Sequence, residues 1–297
     1  MAIERSHRGP FETLLLRSAQ EDSLLEVAPL RGALATRLRL QGREMLYLDE
    51  STFLDETKNV RGGIPVLFPI AGKLPGGECI VGGRRVALAQ HGFARRLPFE
   101  VVADTPPRLD EGTPEPEGIT MMLRSSAETL ADFPFEFELK LTYSLAGGAL
   151  RCEAGVRNTG STPMPVHLGF HPYLSVPDAE KGATRLEVAA TRSFDNRTGR
   201  AAAYESPDLA GEEVDLHVLD PRGGAARLRL PGRESIRLDY GGFPVVVVWT
   251  VRGRDFVCLE PWSAPAGALA TGEGLEWLPP GAESYRVYFL RREVRER

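Results

Sequence analysis

Along residues 134–145 the side chains alternate. Phe135, Phe137, Leu139, Leu141, Tyr143 and Leu145 are apolar, while Glu136, Glu138, Lys140 and Thr142 between them are polar. A repeat of two predicts a long β-strand with one wet face. Leu38 and Leu40 alternate in the same way with Arg37 and Arg39, and Leu228 and Leu230 with Arg227 and Arg229. Ile236, Leu238 and Tyr240 alternate around Arg237 and Asp239. Pro231-Gly232 lies between the last two runs. That pair is a turn signal, so the two runs are expected to form a hairpin. Residues 243–249 are almost all apolar, which predicts a strand buried on both faces. Only residues 125–132 carry a helical pattern, and Pro134 stops it.

Many strands with almost no helix imply an all-β fold, a large antiparallel sandwich or barrel. The 31 glycines and 23 prolines supply the frequent turns this requires. No internal repeat or confident linker divides the 297 residues, so residues 1–297 are read as a single domain. The acidic, Pro-rich segment at 105–118 is expected to be a mobile surface loop.

Charge and cysteine content narrow the function classes. The formal net charge is −5, and no basic patch is interleaved with aromatics, so no nucleic-acid partner is expected. The apolar run at 245–249 is far too short for a membrane span, and the N-terminus shows no cleavable leader pattern. Cys79, Cys152 and Cys258 are isolated, an odd and sparse set that fits a reducing compartment. A cytoplasmic monomer or homodimer is the expectation.

Five stretches break the strand-and-turn pattern. They are RGGIPVLFPIAG (61–72), QHGFARR (90–96), HLGFHPYL (167–174), EVDLH (213–217) and CLEPW (258–262). Each sets an ionisable group beside Gly, Pro or an aromatic residue, a mixture suited to a shaped, partly dry pocket. Each also has a structural reading. His91 could be a turn histidine, His171 a core histidine bonded to backbone, and Glu260 a buried carboxylate paired with an arginine. Arg61 could pair with Asp55 or Glu56. A helix through His167 and His171 is broken by Pro165, Gly169 and Pro172. On an extended strand the two lie some ~13 Å apart, too far to share an ion. No metal site is therefore expected. There is no G-x-S-x-G elbow, P-loop or dinucleotide fingerprint.

Taken together and in order, the stretches resemble the aldose 1-epimerase, or galactose mutarotase-like, family. Gly62-Gly63-Ile64-Pro65 with Phe68-Pro69 is similar to its GGIPxxFP segment, and His91-Gly92-Phe93-Ala94-Arg95 to its HGFAR segment. Phe170-His171-Pro172-Tyr173 resembles its second histidine motif. Leu259-Glu260-Pro261-Trp262, followed by Thr271-Gly272-Glu273-Gly274-Leu275, resembles its C-terminal glutamate motif. The resemblance spans roughly residues 10–291 and implies a β-supersandwich of large antiparallel sheets with sugar held in an open cleft. Position by position it makes His171 the general acid and Glu260 the general base, with Arg61 and His91 binding sugar. Asp215 resembles a sugar-binding aspartate in less distinctive surroundings.

Mutarotation suits such residues. The C1 hydroxyl loses a proton while the ring oxygen gains one, so a base and an acid must exchange states at one pH. An unperturbed histidine titrates near ~6.5, and a dry site raises a glutamate from near ~4.3. The scheme requires no cofactor. Trp262, Phe93 and Tyr173 are read first as core aromatics and second as a wall for a sugar face. Three rival readings stand beside this one. Arg61, Arg95, Arg96 and Lys73 could clamp a phosphate, giving a hexose-6-phosphate mutarotase. Asp215 and Glu260 could be the carboxylates of a glycoside hydrolase or lyase. The chain could also bind a sugar without catalysis. The expected partner is a sugar or sugar phosphate.

Overall fold

The computed structural model describes residues 3–18, 21–102 and 118–295. Two eight-stranded antiparallel sheets and a five-stranded N-terminal sheet carry the fold. One large sheet runs, in spatial order, through Arg185–Ala189, Arg222–Arg229, Glu234–Asp239, Glu283–Val294, Ala149–Asn158, Phe137–Ala146, Gly118–Arg124 and Glu100–Val101. The other runs through Arg200–Ala203, Arg192–Asp195, Glu213–Val218, Val245–Val251, Phe256–Trp262, Gly169–Phe170 and Val66–Leu67, and Tyr173–Ser175 pairs separately with Phe256–Trp262.

The expected strands are present. The alternating run forms Phe137–Ala146, although Phe135 lies outside it and packs its ring against Phe133. The hairpin joins Arg222–Arg229 to Glu234–Asp239 with Leu228 opposite Ile236. The expected helix is Ala127–Asp132, begun by a capping box between Ser126 and Thr129. Two further single turns, Glu50–Phe53 and Ala268–Thr271, escaped the sequence pattern because four residues are too few to show a helical repeat. Segment 105–118 falls outside the described residues except for Gly118, which opens Gly118–Arg124. Among the described residues, no helix is long and apolar enough to cross a membrane.

Register within the second large sheet decides which side chains meet. Directly paired residues share a face, as do residues two apart on one strand. His217 pairs with Val247, and Val247 with Glu260. Asp215 pairs with Trp249, Trp249 with Cys258, and Cys258 with Tyr173. All of these therefore lie on one face. The intervening Val214, Val218, Val246, Val248, Val257 and Leu259 face the other way, into the main core. Val245–Val251 is apolar on both sides for this reason. One side meets the core, and on the other Val245 and Val247 pack against Trp262.

Candidate active site

The polar face of that sheet floors a cleft of about 340 Å³. All six residues singled out from sequence line it: Arg61, His91, Arg95, His171, Asp215 and Glu260. Asp215 and Glu260 come from strands, His171 from the end of Gly169–Phe170, Arg95 from the single turn Ala94–Arg96, and Arg61 and His91 from loops, so their meeting is a product of the fold.

His91 is held in a left-handed backbone conformation (φ 66°). Its N–H donates to the Gly72 carbonyl at 2.7 Å, and the Gly72 N–H donates back to its Nδ1 at 3.0 Å. Because Nδ1 accepts, a neutral ring carries its proton on Nε2. Burial, with His171 and Arg95 nearby, holds its pKa well below the ordinary histidine range. His91 is thus a neutral donor. It is a turn residue and a cleft residue at once. The next position must be glycine: a Cβ on Gly92 would lie 2.2 Å from the Phe68 carbonyl oxygen.

His171 stacks on Tyr173 with centroids 4.7 Å apart and presents its faces and edges to His91 and Trp249. Its Nε2 lies 3.2 Å from Glu260 Oε1. Burial, followed by the Arg95 guanidinium, pushes its pKa down to about 3. Glu260 is 1% exposed, and its Oε2 accepts from the Trp262 indole N–H at 3.2 Å. Burial, then the Asp215 carboxylate, pushes the Glu260 carboxyl well above its usual range, against the pull of Trp262 and Arg95. Burial therefore opposes charge on both partners, and the pair keeps one proton between Nε2 and Oε1. Glu260 pairs with this histidine and an indole, and among the described residues no arginine forms an ion pair with it.

Asp215 behaves differently. Burial raises its carboxyl, but hydrogen bonds from His217 and Asn196 more than offset this and leave it below the ordinary range. Asn196 Nδ2 donates to Oδ2 at 2.7 Å, and His217 Nε2 lies 3.3 Å from Oδ1. Two carboxyl groups in one cleft are thus pushed in opposite directions, one toward the neutral acid and one toward the anion.

The cations divide by depth. Arg95 is partly buried, donates to the Gln90 carbonyl at 2.7 Å and has its pKa drawn down to about 10 by burial. Arg61 is exposed at the rim, with its guanidinium 5.6 Å from the centre of the Trp249 ring, and it forms no ion pair with Asp55 or Glu56. Lys73 is exposed and lines the cleft as well, whereas Arg96 does not. Of the three aromatics, Tyr173 and Trp262 line the cleft; Phe93 packs with Phe68 and Phe137 in the core.

Sequence reading missed Asn196, Glu213, His217 and Trp249, which all line the cleft. Trp249 was visible only as the end of an apolar run, and its pairing with Asp215 is a fact of register. His167 does not join His171: its Nε2 bonds the Ala264 carbonyl at 3.0 Å. A three-ligand set does form from His171, Cys258 and Glu260, whose donor atoms lie within 4.8 Å of one another. Burial raises the Cys258 thiol and the Glu260 carboxyl well above their usual ranges, so a cation bound there would have to displace their protons.

The model of the aldose 1-epimerase family matches residues 18–286. The solved structure of the Slr1438 protein from Synechocystis sp. PCC 6803 superposes with a TM-score of 0.89 at 36% identity, covering 97% of both chains. A galactose mutarotase-like protein from Lactobacillus casei has the same fold, with a TM-score of 0.75 at 24% identity over 95% of this chain and 100% of its own. A Cenchrus ciliaris protein described as "Putative glucose-6-phosphate 1-epimerase" is 26% identical over 287 residues, 90% of this chain and 82% of its own. The mutarotase-like fold that the resemblance implied agrees with the antiparallel sandwich or barrel expected from alternation, and the chain belongs to the aldose 1-epimerase family, isomerases that act on carbohydrates.

Proposed function

We propose that this protein interconverts the α and β anomers of a hexose, with Glu260 and His171 as the proton-exchanging pair. The observation that carries the reading is the 3.2 Å contact between two buried ionisable side chains at the floor of a polar cleft. The two oxygens that trade protons in mutarotation are both bonded to C1, so base and acid must be neighbours, as these are.

Ring opening starts with Glu260 ionised and His171 protonated. Glu260 takes the O1 proton, the C1–O5 bond breaks with its electrons going to O5, and His171 delivers a proton there. C1 becomes an aldehyde carbon and its bond to C2 rotates. Closure reverses each transfer on the opposite face, and the pair is restored with no outside proton. Glu260 protonated with His171 neutral is the state left by opening and ready for closing. Direct transfer across the Nε2–Oε1 contact converts one state into the other. His91 Nε2–H, Arg95 and the Asp215 carboxylate supply donors and an acceptor for sugar hydroxyls. Asp215 as a hydrogen-bonded anion serves as a sugar-binding acceptor rather than as a second proton carrier.

The rim favours a second reading, a phosphorylated hexose. Arg61 and Lys73 are exposed cations that line the cleft and are open to an anionic group, and the Cenchrus relative bears a name of that kind. Anomeric exchange of glucose, galactose and glucose 6-phosphate, followed by NMR, distinguishes the two. For a phosphate substrate, Arg61→Ala should lower kcat/KM for glucose 6-phosphate about tenfold or more and spare free glucose. Equal effects on both sugars would remove the phosphate reading. No exchange of any of the three would count against the hexose mutarotase itself.

A further inference from the structure

Glu260 must keep Oε1 toward His171 through a cycle in which its charge changes twice, and something must hold the other oxygen. We propose that Trp262 is a positioning residue for the reaction, its immobilised indole N–H gripping Glu260 Oε2 and leaving Oε1 free for proton exchange. The inference rests on Glu260 being the proton-exchanging carboxyl.

The indole has no freedom to leave. Trp262 is 2% exposed. Three imidazole rings meet it edge-on: His217 at 5.1 Å, His91 at 5.9 Å and His167 at 6.4 Å between centroids. Its backbone is paired on both sides, to Gly169 and to Val245. Gly169 is glycine because a Cβ there would stand 2.7 Å from Trp262 Cδ1. The N–H is therefore fixed in direction before substrate arrives, and it costs no reorganisation when the carboxylate forms. An indole donates and never accepts, so this bond favours the ionised carboxylate over the acid. The other ionisable groups around Glu260 are His171, Tyr173, Cys258, Asp215 and Arg95. Of these, only His171 has an ion-pair or hydrogen-bond contact with the carboxyl among the described residues.

The test is Trp262→Phe, which keeps a large ring and removes the donor. Every state with an ionised Glu260 loses the bond. If the shared proton rests on His171, the acid limb of the pH–rate profile moves up. If it rests on Glu260, the alkaline limb does. In either case one limb should rise by about one to two pH units, the worth of a hydrogen bond to a charged group. A folded variant with both limbs unmoved overturns the proposal, because a purely structural role would lower stability and leave the profile alone. A second measurement does not depend on that variant folding. The chain has three tryptophans. Indole N–H resonances of the 15N-labelled protein should include one that titrates with the activity and becomes flat in Glu260→Gln. If none does so, the proposal fails. Near wild-type exchange in Glu260→Gln would instead sink the proton-exchange role of Glu260 itself.

Discussion

Glu260→Gln separates catalysis from stability, because the two should move in opposite directions. The amide has the shape of the acid. Its oxygen can still accept from Trp262 Nε1, and its N–H can donate to His171 Nε2 across the present 3.2 Å gap. The packing is therefore kept. What is lost is a group able to take and return the O1 proton. A positioned general base contributes roughly 10²- to 10⁴-fold, or about 3 to 5.5 kcal/mol of barrier, so exchange should fall by that factor. The sign of the stability change follows from the pKa. The folded-state pKa of Glu260 is raised above its unfolded value, chiefly by burial. Such a group contributes stability that is fully present below the unfolded pKa and is lost as pH rises through the folded one. Glutamine does not titrate. The variant should therefore gain on the wild type as pH increases from the ordinary carboxyl range. Two-dimensional exchange NMR of the anomeric protons reads the first effect, and urea denaturation at pH 5 and pH 8 reads the second. Exchange within a few-fold of wild type, or a stability difference that does not change between those pH values, would refute the reasoning.

Other substitutions probe the surroundings. Burial holds His167 down to about 4, against an ordinary value of 6.5, so its contribution to stability is present above pH 6.5 and lost as pH falls toward 4. That displacement is worth roughly 3 kcal/mol. In His167→Gln, with a donor kept for Ala264, the unfolding free energy measured against wild type should improve by about that amount between pH 7 and pH 4; a constant difference would count against it. Gly169→Ala would place a methyl 2.7 Å from Trp262 Cδ1 and 3.1 Å from Ala71 Cβ. Overpacking should cost about 1 to 3 kcal/mol in thermal or chemical unfolding. The displaced indole should also slow anomeric exchange. A folded Gly169→Ala protein with full activity would show that Trp262 need not stay where it is.

The sheet was legible in the sequence because period-two alternation is a local signal, and residues 134–145, 227–230 and 236–240 display it without help from the rest of the chain. The six cleft residues were legible for a different reason. Each lies in a short motif with Gly, Pro or aromatic neighbours, and the motifs were read as an ordered set. Trp249 and Asn196 lay outside these motifs, and His217 lay inside EVDLH without being singled out. They reach the cleft because Asp215 pairs with Trp249 and His217 with Val247, and such long-range register leaves no mark on either strand alone. The state of Asp215 was equally hidden. Its neighbours in the chain do not include Asn196, whose amide helps keep it ionised. The depth of each cation followed the same rule: Arg95 and Arg96 are adjacent in sequence, yet only Arg95 lines the cleft.

The strands Glu213–Val218, Val245–Val251 and Phe256–Trp262 carry core residues and cleft residues on alternate positions. This has a consequence for how such a protein can diverge. A single inserted or deleted residue within one of these strands would exchange its two faces, sending Glu260 into the core and Leu259 into the cleft. Length changes there destroy fold and catalysis together, so they offer no gradual route to a new substrate. The segments bearing Arg61 and Lys73 are exposed loops that line the cleft. They can lengthen, shorten or change charge without disturbing the register beneath. Selection for a different sugar therefore has its freedom at the entrance, and the proton-transfer floor is inherited as a unit.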